Sequence, residues 1–150
     1  MRSASSVIGT RIPEHSSTVE RGRLAFFSRA IGENDPVYTD LKAAREAGHR
    51  DLPVPPTFVF CLDMDRPNPS KFYTDLGIDI RTILHGEQAF TYHTTAYAGD
   101  TLHFSTEVTD TYEKKRGALR FFVRTTEVTR DGEPIAQMRN TTVVRDPRAS

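Results

Sequence analysis

Pro55-Pro56-Thr57-Phe58-Val59-Phe60-Cys61-Leu62 is the stretch on which the fold turns. Two prolines suit a first helical turn, where a missing N–H is no loss. The five residues after Thr57 are all apolar, so the helix they begin has no polar side to show to water and must be buried. It ends before Pro67, in a polar loop from Asp63 to Lys71. Something broad has to cover it.

The second half of the chain supplies the cover. Seven of the nine prolines lie before residue 70, and twelve of the eighteen threonines lie at or after residue 91. Proline punctuates turns and helix starts, whereas threonine favours strands, so the first half reads as helices and loops and the second as sheet. Residues 82–97 place Phe90, Tyr92, Thr94 and Ala96 on one face. Residues 101–112 alternate, with Leu102, Phe104 and Val108 against Thr101, His103, Ser105 and Glu107. Residues 118–128 group Leu119, Phe121 and Val123, and 134–144 form a last strand. Turns fall at Ala98-Gly99-Asp100, at Gly117 and at Asp131-Gly132, the last a strong hairpin signal. Helices followed by consecutive antiparallel strands give an α+β fold, with the sheet wrapped around the apolar helix.

Towards the N-terminus the spacing predicts a helix over 18–31, with Ser17 and Glu20 at capping-box positions and Leu24, Phe27 and Ile31 on one face. Gly32 ends it. A shorter helix over 41–47 has Asp40 as N-cap and Gly48 as its stop. Residues 1–16, rich in serine and without periodicity, are expected to be a flexible arm, and 17–145 a single domain.

Composition narrows the function. Twenty basic and twenty acidic residues give a net charge of zero, which argues against nucleic-acid binding through a basic field. Leu, Ile, Val and Phe number 34 of 150, above the ~20% below which disorder is the default. No apolar run approaches the ~18 residues of a membrane span, and no secretory signal follows Met1. The lone Cys61 fits a reducing cytoplasm and reads as a small core residue.

Chemistry is concentrated between the first two helices. Gly32-Glu33-Asn34-Asp35-Pro36-Val37-Tyr38 crowds two carboxylates and a phenol onto a proline-stiffened loop. Such a loop serves either as a capped turn with solvated acids or as a seat for a base. Phe27 to Ala44 resembles the signature of the R-specific enoyl-CoA hydratases and MaoC-like dehydratases. There an aromatic residue precedes Gly-Asp-x-Asn-Pro-aliphatic-His, with Ala or Ser after five more residues. The segment His85 to His93, Ala98-Gly99-Asp100-Thr101-Leu102 and Pro55-Pro56-Thr57-Phe58 are similar to the same family. The resemblance runs over about residues 17–145 and implies the hot-dog fold.

The resemblance also implies a site. The family's Asp and His act on a water or on the substrate's α-proton; here those positions hold Glu33 and Tyr38, and the Asn position holds Asp35. A glutamate reaches one methylene further than an aspartate, and a phenol titrating near 10 is a poor substitute for an imidazole. The chain therefore looks like the N-terminal, non-catalytic type that shapes an acyl tunnel while a catalytic MaoC-like partner supplies Asp and His. His85, beside Glu87, is either a replacement imidazole or a histidine fixing the start of a strand. Catalytic candidates are thus Glu33, Tyr38, Asp35 and His85. Substrate contacts are expected from Pro56, Thr57, Phe58 and Gln88, with the Thr57 and Phe58 N–H groups facing a thioester carbonyl. The apolar side chains of the buried helix, Phe58, Val59, Phe60 and Leu62, are expected in the core, and His15, His49 and His103 at the surface.

The expected ligand is an acyl-CoA or acyl-carrier-protein thioester, and the expected assembly a homodimer or a heterodimer with a catalytic MaoC-like subunit. No cofactor, metal, nucleic acid or membrane is expected: His85 and His93 lack a third ligand and helical spacing. Two other readings stay open: a self-sufficient homodimeric hydratase using Glu33, and a non-catalytic acyl-CoA-binding hot-dog module.

Overall fold

The computed structural model describes residues 4–146. A short 3₁₀ turn at Ala4–Val7 leads into β1 (Arg11–Thr18). This strand takes up the last six residues, 11–16, of the stretch expected to be a flexible arm. Its polar composition hid it: only Ile12 and Ser17 are buried, and its pairing is interrupted between Ile12 and His15. Pro13 sits at that interruption on a sheet edge, a position where a strand tolerates proline. The capping box is not formed either. Ser17 lies in β1 and its hydroxyl donates to Asp65 at 2.7 Å.

The helix α1 (Arg21–Ala30) starts three residues later than the spacing predicts, with Glu20 as its N-cap. Leu24 and Ser28 form its inner face, and Phe27 is half-buried. Gly32 follows with φ +76, the left-handed stop expected of it. A 3₁₀ turn at Pro36–Tyr38 leads to α2 (Leu41–Glu46), whose N-cap Asp40 accepts from the Ala43 N–H at 3.0 Å. The apolar stretch gives α3 (Phe58–Asp63), with Phe58, Val59 and Leu62 buried and Phe60 and Cys61 only partly so. A fourth short helix, α4 (Lys71–Asp75), begins at the last residue of the expected loop, and its Tyr73 is buried.

The strands β2 (Ile83–Tyr92), β3 (Thr101–Lys114), β4 (Leu119–Arg130) and β5 (Glu133–Arg145) follow the predicted order closely. The five-stranded antiparallel sheet has the order β1-β3-β4-β5-β2, so β1 and β2 are its edges. Asp131 and Gly132, both at positive φ, make the tight β4–β5 turn. Leu24, Leu62 and Leu102 are completely buried and pack in one cluster with Phe104 and Met138, so α1 and α3 lie against the sheet's concave face. This is the α+β hot-dog arrangement: an antiparallel sheet wrapped around a short apolar helix.

His15 is not the surface residue expected. Its ring stacks on Phe104 at 4.8 Å, it reaches the Leu62 carbonyl at 3.4 Å, and burial pushes its pKa down.

The β2–β5 register slips between His85 and Glu87, at Gly86. A Cβ there would lie 2.8 Å from Val143 Cγ2 and 3.2 Å from the Thr141 carbonyl oxygen. Gly86→Ala should therefore lower stability by about 1–3 kcal/mol, the usual cost of overpacking. A reduced urea midpoint with an unchanged slope checks this.

Candidate functional site

Three elements border a wide groove. α1 contributes Phe27 and, just past its end, Ile31; α3 contributes Phe60 and Cys61; β2 contributes His85 to Gln88 and Phe90. Together they bound a groove of about 610 Å³. Its position follows from the packing. α3 turns Phe58, Val59 and Leu62 into the core, so its helical period brings Phe60 and Cys61 to the open side. Phe60 meets His85 edge-on at 5.9 Å. Phe60 was expected in the core; it is a wall of the groove instead. Burial pushes the Cys61 thiol up, so it stays protonated and acts as part of the apolar wall.

A smaller cavity of about 260 Å³ lies beside the Pro55-Pro56 segment. Tyr38, Pro56 and Tyr92 line it, with residues 93–96 completing the wall. The Tyr92 hydroxyl donates to the Pro56 carbonyl, tying the end of β2 to the entry of α3. Phe90 and Tyr92 stack in parallel at 5.7 Å and stand between the two spaces, each lining one of them.

The predicted residues are thus divided. Thr57, His85 and Gln88 line the groove, whereas Tyr38 and Pro56 line the smaller cavity. Glu33 and Asp35 line neither. Glu33 Oε1 accepts from the Asp35 N–H at 2.9 Å, and Asp35 Oδ1 accepts from the Val37 N–H at 3.0 Å. Both carboxylates therefore build the loop, as acids in a capped turn do. Phe58 is buried against Phe27, ring to ring at 5.1 Å, with Arg23 over its face at 5.5 Å. Its N–H donates to the Pro55 carbonyl at 3.0 Å, so one of the two N–H groups expected to face a thioester carbonyl is already engaged. Gln88 is held from behind, its Oε1 accepting from Asn140 Nδ2 at 3.0 Å.

Burial pushes the Tyr38 phenol above its ordinary value, and the Glu33 and Asp35 carboxylates push it further. It is neutral at pH 7 and has no base character there. Burial also raises Tyr92. Ultraviolet titration should find Tyr38 and Tyr92 as late phenols, and Tyr38→Phe should remove one late-titrating phenol from the profile.

Sequence reasoning missed Phe27, Ile31, Phe60 and Phe90 as groove residues. Their signal was present as an apolar face longer than a core contact needs, but the same pattern serves core and groove alike. Among the described residues no three His, Cys, Asp or Glu side chains gather as a metal site, and no helix is long and apolar enough to cross a membrane.

Comparison with known proteins gives concordant matches. A family model described as FAS1-like, dehydratase domain region, matches residues 6–138. A UPF0336 protein of Saccharopolyspora erythraea is 33% identical over 142 residues, covering 93% of this chain and 90% of that one. The crystal structure of a C-terminally truncated HadBC (3R-hydroxyacyl-ACP dehydratase) complex from Mycobacterium tuberculosis contains a chain of the same fold. It has a TM-score of 0.76 and 24% identity, covering 91% of this chain and 96% of that one. A structure described as a MaoC-like dehydratase superposes with a TM-score of 0.84 at 24% identity, covering 97% of this chain and 44% of that chain.

Proposed function

Because this chain belongs to the FAS1-like dehydratase-region family, and with it to the MaoC-like dehydratases, we propose that it is the non-catalytic subunit of a (3R)-hydroxyacyl thioester dehydratase, the same enzyme being in reverse an enoyl thioester hydratase. One observation carries the reading. The groove is present and apolar, while the two motif positions that should supply acid and base hold a loop-building Glu33 and a neutral Tyr38 outside it. A binding surface without its proton-transfer pair needs a second chain to do chemistry.

The roles follow. Phe27, Ile31, Phe60 and Phe90 hold the acyl chain of an acyl-CoA or acyl-carrier-protein thioester. The partner is a MaoC-like chain that carries Asp and His at the positions of Glu33 and Tyr38. Exposed apolar side chains on α1 and β2 support an interface there: Phe26 is 71% exposed, Ile31 55% and Leu84 54%. The β2 edge also offers unpaired backbone to a neighbour. The lone cysteine supports a cytoplasmic enzyme.

The test uses the complex formed by co-expression with such a partner. Glu33→Gln and Tyr38→Phe should each leave its kcat within about twofold of the parent, because removing a true acid or base costs on the order of 10²–10⁴. A hundredfold loss in either variant would return the chemistry to this chain.

A further inference from the structure

On the far side of His85 lies a third space, a half-open cavity of about 290 Å³ between the α3–α4 segment and the strands β2, β4 and β5. Two arginines line it. Arg66 is 6% exposed; its Nη2 donates to Asp63 and to Thr106, but its Nη1 is buried without a hydrogen-bond partner among the described residues. Arg124 donates through Nη2 to Asn140 Oδ1 at 3.0 Å and lies over the Tyr73 ring at 5.3 Å, while its Nε is likewise buried and unpartnered. Two buried N–H donors on cations whose side chains line the same cavity are expensive unless something accepts from them.

The charges around the cavity narrow the acceptor. The titratable groups that line it are Arg66, Arg124, Asp63, His85 and Tyr73, whose hydroxyl donates to Thr142. Asp63 is paired with Arg66, and Arg124 has no ion pair among the described residues. The arginines and the carboxylate of the lining therefore sum to one uncompensated positive charge. A single negative charge offsets it, whereas a phosphate dianion would overshoot. Met64, Ile80 and Ile83 make the rest of the lining largely apolar, which suits an anionic group at the end of a carbon chain. His85 lines this cavity and the acyl groove together, and the hydrogen bonds Gln88–Asn140–Arg124 join their walls.

We infer that Arg66 and Arg124 form a carboxylate-binding subsite, which takes either a free small carboxylate or the terminal carboxylate of an acyl chain reaching past His85. The subsite rests on the arginines and not on the proposed function of the groove, and the experiment separates the two.

Sodium acetate is titrated into the purified chain at constant ionic strength, with chloride as the balancing ion, while arginine Nε–Hε nuclear magnetic resonance signals are followed. The Arg124 signal should shift saturably, with a midpoint on the order of millimolar. This readout needs no variant. Adipoyl-CoA and hexanoyl-CoA, which differ only in the terminal carboxylate, are then compared. A gain of about tenfold or more for adipoyl-CoA, lost in Arg124→Met, identifies the acyl terminus as the source. Equal binding of the two thioesters with a positive acetate titration identifies a free carboxylate. An unmoved Arg124 signal together with equal thioester binding overturns the subsite. Binding of hexanoyl-CoA itself reports on the groove, so the groove stands or falls independently.

Discussion

Asp100→Ala should lower the free energy of unfolding by about 3 kcal/mol, the cost of removing one partner from a buried ion pair. Asp100 is 8% exposed and accepts from Arg50 at 2.5 Å, from Arg130 at 2.6 Å and from the Tyr97 N–H at 2.9 Å. Its removal leaves the Arg130 guanidinium, 17% exposed, with only Glu133 and the Thr95 carbonyl. Arg50→Ala is the matched control. That side chain is 54% exposed, so its loss should cost no more than about 1 kcal/mol. Urea unfolding of both variants decides the matter, and equal losses would mean that burial is not what gives Asp100 its weight. Burial alone would raise the Asp100 carboxyl, but the bonds from Arg50, Arg130 and the Tyr97 N–H outweigh it and hold the pKa below the usual range. The sign follows: the stabilisation is complete above the unfolded value near ~3.9 and is lost as pH falls through the lower folded value. The variant should therefore lose most of its disadvantage in strong acid. Because this cluster holds residues 95–97 beside the cavity that contains Tyr38, the variant should also expose the Tyr38 phenol and bring its titration back towards the ordinary value.

Phe60→Ala should weaken binding of a medium-chain acyl thioester by about 10- to 100-fold, since a buried aromatic contributes roughly 1.5–3 kcal/mol of contact to an apolar ligand. The loss in stability should be smaller, because Phe60 is only half-buried and its neighbours Phe58, Val59 and Leu62 carry the packing of α3. The contrast is with Leu62→Ala. That side chain is completely buried, so its truncation should cost about 2–5 kcal/mol of stability and act on binding only through the fold. Calorimetric titration with octanoyl-CoA, beside urea unfolding, separates the two effects. A Phe60→Ala variant that bound as tightly as the parent would remove the groove from the account.

Much of the fold was legible because its signals are local. The alternation of Leu102, Phe104 and Val108 and the Asp131-Gly132 turn need no distant partner to be read, and all three side chains prove buried on β3. β1 was not legible, because it has no apolar face of its own: its Ser17 is buried by a bond to Asp65, 48 residues away. The same limit applies to the site. The loop from Gly32 to Tyr38 could be aligned with a family motif by spacing alone, but spacing could not show that Tyr38 turns to one cavity while His85 and Gln88 face another. Nor could it show that Phe60 leaves the core, since a helix apolar all round gives no clue to which side stays open. The buried Arg66 and the half-buried Arg124 were invisible for a related reason: charged residues read as surface until a fold encloses them.

The central claim is that this chain binds the thioester but does not itself move the proton. The most direct measurement is hydration of a medium-chain trans-2-enoyl-CoA, followed by loss of its ultraviolet absorbance, with the purified chain alone and with a co-expressed MaoC-like partner bearing Asp and His. The account predicts thioester binding without turnover for the chain alone, and at least about a hundredfold gain in rate when the partner is present. Turnover by the chain alone that matches the pair, and that disappears in Glu33→Gln, would contradict it and make this chain a self-sufficient hydratase.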